Sequence, residues 1–276
     1  MSESALPTYE TVKFEKQDGV TFVIMNRPDQ RNAMSPQLHL DMNEALDDVA
    51  NDDETKVVVI TGAGKAFCAG QDLKLYFRAN DKNPKARLKL RRASHEWRWE
   101  KLNRFPKPTI AMVNGFCFGG AFTQVSACDF AIAADEALFG LSEVNWGIIP
   151  GGIVSWNVAK IMSYRDAMWY ACTGDTFTGQ EAATMKFVNR SVPLDKLRDE
   201  VMRLAGELIK KSPIALRFTK DAVRSVREMD CDQATDYLWS KSEALKHGDP
   251  EKGREKAMVQ FIDEKSFKPG LGTFKR

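Results

Sequence analysis

Val57-Val58-Val59-Ile60-Thr61-Gly62-Ala63-Gly64-Lys65-Ala66-Phe67-Cys68-Ala69-Gly70-Gln71-Asp72-Leu73 is the stretch that decides the fold class. Its first four residues are apolar without a break and β-branched, the pattern of a short strand covered on both faces. A glycine-punctuated loop follows at once. The same order recurs twice downstream. Thr109 to Val113 precedes Asn114-Gly115-Phe116-Cys117-Phe118-Gly119-Gly120-Ala121, and Phe130 to Ala134 precedes Phe139-Gly140 through Pro150-Gly151-Gly152. Repeated strand, glycine loop and helical segment predict an α/β core with mostly parallel pairing.

Upstream, Thr11–Glu15 and Val20–Met25 flank Asp18-Gly19 and predict a hairpin. Ser35-Pro36 reads as an N-cap with proline at the first helical position, followed by Leu38, Met42, Leu46 and Val49 on one face. Downstream, Pro84 opens a charged helix carrying Trp97 and Trp99, preceded by a loop over Asn80–Asn83 that reads as mobile. Thr178 and Glu181 fit a capping box. Beyond Pro193 four helices are expected, over residues 194–210, 213–227, 231–246 and 250–265, with Gly248 as a C-cap. The expected organisation is a core over residues 1–200 and a helical region over 201–276.

Bulk properties exclude several classes. The 276 residues are 43% hydrophobic and 28% charged, with a net charge of +2, so nothing marks a nucleic-acid or membrane-surface binder. No apolar run reaches the roughly 18 residues of a membrane span, and the N-terminus lacks the basic and apolar regions of a secretory signal. Five scattered cysteines outside CxxC pairs fit reduced thiols in the cytoplasm and not a zinc site. The three histidines, His39, His95 and His247, lie outside the glycine loops, which leaves triad and metal chemistry without support.

The loops have a chemical use in common. Residues 61–65 are not a phosphate-binding P-loop, because Lys65 is followed by Ala66. Glycine does let the chain approach a ligand closely. Backbone N–H groups at Gln71 and Gly120 can therefore converge on one oxygen as an oxyanion hole, which stabilises an enolate made from a thioester.

Asn26-Arg27-Pro28, Arg31-Asn32-Ala33-Met34, Ala69-Gly70-Gln71-Asp72-Leu73, Lys107-Pro108 to Gly115, Gly119-Gly120, Cys128-Asp129 and Phe139 to Gly152 appear in the order seen in the crotonase (enoyl-CoA hydratase/isomerase) superfamily. The resemblance spans nearly the whole chain. It implies a spiral of ββα units, a C-terminal helical trimerisation region, and a coenzyme A thioester held by Gln71 and Gly120. Coenzyme A then enters as part of the substrate, with no separate cofactor and no metal. The expected partners are an acyl-CoA and further copies of the chain, as a trimer or a dimer of trimers.

Typical hydratases of this superfamily use two glutamates, and here only Glu143 remains. Thr123 stands where the earlier one belongs. One carboxylate plus a hydroxyl resembles the hydroxycinnamoyl-CoA (feruloyl-CoA) hydratase-lyases, as do Asp72-Leu73-Lys74 with Tyr76-Phe77, the Trp97/Trp99 pair, the run from Phe139 to Gly147, and the tail around Lys268–Leu271. That resemblance implies hydration of feruloyl-, caffeoyl- or coumaroyl-CoA and retro-aldol cleavage to an aromatic aldehyde, such as vanillin, and acetyl-CoA. It assigns Glu143 as acid/base with Thr123 beside it. Tyr76, Ser142, Trp146 and Trp239 fall in the acyl site, and Arg31, Ala69, Gln71 and Leu73 on coenzyme A. Trp239 occupies the place of a second phenol-binding tyrosine, and Tyr237 points about 200° away on a helix. The rivals are a hydratase or isomerase of other acyl thioesters, a dehalogenase or hydrolase (disfavoured by Asn145, which is no acid), and a catalytically silent RNA- or protein-binding relative.

Overall fold

The computed structural model describes residues 6–268 and 272–276. The reading of the first five residues and of Pro269–Leu271 in the tail lies outside that range. By internal packing the chain divides into two units, up to Arg203 and from Leu204 onward.

The first unit is built on a six-stranded sheet in the order β1 (Val12–Gln17), β2 (Val20–Met25), β3 (Val57–Gly62), β5 (Thr109–Val113), β7 (Phe130–Ala134) and β10 (Arg190–Val192). β1 (Val12–Gln17) and β2 (Val20–Met25) form the expected antiparallel hairpin. Asp18 and Gly19 both have positive φ, 51° and 78°, as a two-residue turn matching strand twist requires. β2 then pairs in parallel with β3 (Val57–Gly62), every residue of which is buried. Its unbroken apolar sequence reflects cover on both faces.

The second strand of each expected ββα unit, which strand patterning alone did not mark, belongs to a second sheet. β4 (Ala66–Cys68), β6 (Phe116–Phe118), β8 (Leu138–Gly140) and β9 (Thr176–Thr178) form it in that order. Each of its first three strands follows a long-sheet strand after a short corner: β3 leads to β4, β5 (Thr109–Val113) to β6, and β7 (Phe130–Ala134) to β8. Three-residue strands are too short to show a period. β10 (Arg190–Val192) closes the long sheet beside β7.

Helices complete the turns of this spiral. α1 (Pro36–Asn51) is capped by the Ser35 side chain, which accepts from the Leu38 N–H at 3.2 Å. α2 (Pro84–His95) runs on into a π-helical turn, Glu96–Lys101. α3 (Ala121–Ala127) starts directly after Gly120. α4 (Val154–Ile161) and α5 (Tyr164–Thr173) follow, then α6 (Gly179–Thr184) with its capping box from Thr178 and Glu181. Phe122, Phe139, Phe177 and Phe187 meet at the centre, with Phe139 and Phe177 stacked at 5.3 Å. Such aromatic pairs add about 0.5–1.5 kcal/mol each beyond area burial.

α7 (Leu197–Ile209) runs across the division between the units. In the second unit, α8 (Pro213–Val226) packs on α9 (Cys231–Gly248), and Tyr237 donates to the Ser225 hydroxyl at 3.0 Å. Gly248 is the last helical residue instead of a cap. Asp249 ends the helix in an extended conformation, as the residue before Pro250 must. The last helix, α10 (Gly253–Met258), starts later than expected. The Asp249 carboxylate draws the N–H groups of Glu251 (3.0 Å) and Gly253 (2.8 Å) into a turn first. Among the described residues no helix is long and apolar enough to cross a membrane.

Candidate active site

The loop over Ala69–Leu73 is fixed from below by the Asn26–Met34 segment. Asn32 is fully buried in the left-handed region (φ 56°). Its amide donates to the carbonyls of Ala63 (2.9 Å) and Ala66 (2.8 Å). Arg27 pairs with Asp72 at 3.1 Å and also donates to the Ala33 carbonyl. The Asp72 carboxylate in turn caps the π-helical turn Leu73–Arg78, accepting from Lys74 (3.1 Å) and Leu75 (2.9 Å).

The backbone at Met34 makes a parallel bridge to this loop. Its N–H donates to Gly70 O at 2.8 Å, and its carbonyl accepts from Asp72 at 3.1 Å. In a parallel bridge the residue between those partners turns its own N–H the other way. The Gln71 N–H is that group, and it bonds to no described residue. The Gly120 N–H is likewise free of a described partner, while Gly119 N–H is taken by Gly140 O at 2.9 Å. The two loops touch. A methyl built on Gly70, where φ is 90°, would lie 2.9 Å from Phe118 O and 3.7 Å from Gly120 N. Two unspent donors therefore flank one cavity of about 290 Å³.

That cavity is lined by Arg31, Ala69, Gln71, Leu73, Gly120, Ser142, Glu143 and Trp146, all expected from the sequence. Phe77, Phe116, Phe118, Gly119 and Ile148 line it as well, and the sequence reading had missed them as site residues. The aromatics of β6 are legible only once that strand is recognised. Arg31 lies over the Phe116 ring at 4.8 Å, which holds its guanidinium at the rim. Trp146 is 64% exposed and Leu73 48%, so the mouth presents apolar surface that a ligand would cover.

Glu143 sits on a short 3₁₀ turn, Ser142–Trp146, that ends at Gly147 in the left-handed region (φ 70°). Its carboxyl lies against Gly119. A methyl built there would stand 2.9 Å from Oε1 and 3.3 Å from Cδ. Its Oε2 is buried and meets no hydrogen-bond partner among the described residues. Burial raises its pKa above the ordinary carboxylate value, with only its own backbone N–H opposing. A desolvated carboxylate with an unsatisfied oxygen, at a cavity that two free N–H groups also face, is the kind of arrangement acid/base chemistry at an oxyanion needs.

Three expected residues lie elsewhere. Thr123, on α3, is 1% exposed and donates to Gly152 O at 3.3 Å, so its hydroxyl braces the 151–152 glycines and does not line the cavity. Tyr76 is buried edge-on against His39 (5.4 Å) and Phe77 (5.1 Å), one layer behind the lining. Trp239 is on α9 of the second unit and 74% exposed. Tyr237 turns back onto α8, as its spacing from Trp239 implied. Asn145 is exposed, with its amide toward Gly174.

Known proteins agree with this geometry. The enoyl-CoA hydratase/isomerase family profile matches residues 15–269. A hydroxycinnamoyl-CoA hydratase-lyase of Pseudomonas fluorescens is 49% identical over 276 residues, covering 98% of this chain and all of that protein. An enoyl-CoA hydratase of Bacillus anthracis superposes with a TM-score of 0.83 at 28% identity, over 92% of this chain and 97% of that one. One from Polaromonas sp. JS666 does so at 0.84 and 27%, with the same coverage. The interlocking sheets, the paired glycine loops and a match over most of its length place this chain in the enoyl-CoA hydratase/isomerase (crotonase) family.

Proposed function

We propose that the chain hydrates a 4-hydroxycinnamoyl-CoA such as feruloyl-CoA and cleaves the product to an aromatic aldehyde and acetyl-CoA. The observation that carries this reading is Glu143, the one carboxylate lining the cavity, whose buried Oε2 has no partner among the described residues and which lies against Gly119 at the cavity that Gln71 and Gly120 also line. The name of the Pseudomonas fluorescens relative supports the acyl group.

The thioester carbonyl sits on the two N–H donors. Glu143 takes a proton from water as the water oxygen bonds to Cβ, and the double-bond electrons move onto the carbonyl as an enolate. Glu143 returns the proton to Cα, giving the β-hydroxy thioester. It then takes the β-hydroxyl proton. The Cα–Cβ bond breaks, the aldehyde carbonyl forms, and the electron pair leaves as the acetyl-CoA enolate on the same donors. Protonation of that enolate by Glu143 completes acetyl-CoA. One carboxylate alternates as base and acid, and burial, by raising its pKa, makes it a stronger base that is also more readily reprotonated. Each oxyanion donor contributes about 3–4 kcal/mol in acyl-transfer enzymes, and here the pair serves both enolates.

Arg31, Ala69 and Leu73 hold coenzyme A at the rim, while Ser142 and Trp146 flank the acyl group. Tyr76, just behind the lining residue Phe77, is assigned to the phenol end. Thr123 acts through the backbone, its hydroxyl bracing the 151–152 corner. Coenzyme A enters only as part of the substrate. The chain works as a trimer or dimer of trimers, and in the cytoplasm, where five scattered cysteines outside CxxC pairs stay reduced.

The test is incubation of purified protein with feruloyl-CoA, with vanillin and acetyl-CoA quantified together. Equimolar release supports the reading. A β-hydroxy thioester that accumulates without aldehyde makes the chain a hydratase and refutes the cleavage step.

A further inference from the structure

Arg98 is 5% exposed, and no carboxylate pairs with it among the described residues. Its Nε donates to Ser94 O at 3.0 Å and its Nη1 to Gly120 O at 2.8 Å. Nη1 lies 3.0 Å from where a Gly120 Cβ would be. A guanidinium therefore sits directly beneath the residue whose N–H faces the cavity.

Ser94 links this contact to the other donor. Its hydroxyl accepts from Gln71 Nε2 at 3.1 Å. The Gln71 Oε1 meets His39 Nε2 at 2.9 Å, and His39 Nδ1 takes the Trp97 indole N–H at 2.8 Å. An indole only donates. Nδ1 is therefore the acceptor, Nε2 carries the hydrogen, and the Gln71 amide is fixed in one orientation. Ser94, Trp97 and Arg98 share one face at i, i+3 and i+4, where α2 passes into its π-helical turn. One segment thus grips both halves of the donor pair.

Burying an unpaired charge is costly, and an apolar residue of similar volume would stabilise the fold better. The cost is explained if negative charge arises nearby during the reaction. Given the reading of the cavity as a thioester site, we propose that Arg98 is a positioning residue of the oxyanion hole. It clamps Gly120 from behind, and its charge opposes the enolate that forms on the Gln71 and Gly120 N–H groups. Burial lowers its pKa to about 10, which leaves it charged at neutral pH.

The test uses Arg98→Met and Arg98→Lys, each alone and combined with Glu143→Gln to arrest turnover. With feruloyl-CoA bound, polarisation of the carbonyl red-shifts the conjugated thioester band. Arg98→Met is expected to lose most of that shift, with Kd changed less than about threefold. Its kcat falls about 10- to 100-fold at near-constant KM, below the roughly 100- to 1000-fold loss from deleting an oxyanion donor itself. Arg98→Lys keeps the charge but cannot reach both carbonyls, so it recovers part of the shift and of kcat. Full shift and full kcat in Arg98→Met, or losses that only track Kd, overturn the proposal. Should Arg98→Met not fold, Arg98→Lys decides: an unreduced shift and kcat overturn it, and a reduced shift at constant Kd supports it. If the wild type ignores feruloyl-CoA but turns over crotonyl-CoA, the assigned acyl group is wrong, and the same comparisons on crotonyl-CoA judge Arg98.

Discussion

Gly119→Ala places one methyl group against the reacting carboxylate. Gly119 has φ 51°, and the new Cβ would stand 2.9 Å from Glu143 Oε1, 3.3 Å from Cδ and 3.6 Å from Oε2. Ordinary contact begins near 3.4 Å, so the carboxyl must retreat by about half an ångström. A misplacement on the order of 1 Å in an active site costs about 100-fold in rate. Half that displacement, plus the desolvating methyl beside a carboxylate already short of partners, predicts a loss in kcat of roughly 10- to 100-fold. KM should stay within about threefold, because the proposed coenzyme A contacts at Arg31, Ala69 and Leu73 are untouched. The left-handed backbone adds about 1–2 kcal/mol of strain. Gly19→Ala, in the β1–β2 turn at φ 78°, carries the same strain at the other end of the strands. Steady-state cleavage of feruloyl-CoA and thermal unfolding of both variants separate the effects. The account expects similar losses of stability but a rate defect only in Gly119→Ala. Equal rate defects in both, or none in Gly119→Ala, refute the placement of Glu143.

Other expectations follow from the same geometry. Because burial raises the Glu143 pKa, the acid limb of kcat/KM should lie above the usual carboxylate range, where the base form appears. The same shift lets the folded state bind more protons than the unfolded one. Ionised Glu143 therefore costs stability at neutral pH, and Glu143→Gln should unfold at a higher temperature than wild type there but not at acid pH. His39 behaves oppositely: burial depresses its pKa to about 3, so its contribution is full above about 6.5 and is lost as pH falls toward 3. Acid unfolding curves of wild type and His39→Gln should differ in that window. Arg31→Ala should raise KM about tenfold with kcat unchanged, as loss of a rim cation would.

Much of the site was legible because its parts are local. Gln71, Gly120 and Glu143 each follow a buried strand, so strand ends and glycines announced where the loops converge. The hairpin and the caps at Ser35 and Thr178 were readable for the same reason, each being set within a few residues. The second sheet was not legible. Its strands are three residues long and exist only because the spiral stacks them. Where the Thr123 hydroxyl turns was not legible, because on α3 it can face cavity or backbone, and only the fold puts Gly152 O within its reach. Arg98 gave no signal among its charged neighbours. Only packing reveals that it is the buried one.

In the proposed cycle Glu143 alone moves every proton. A single turnover of feruloyl-CoA by Glu143→Gln, with thioester, β-hydroxy thioester and vanillin followed together, tests it most directly. The account predicts that the variant binds the thioester with a red-shifted band and forms neither product. Accumulation of the β-hydroxy thioester would contradict it, since a second group would then be performing the hydration.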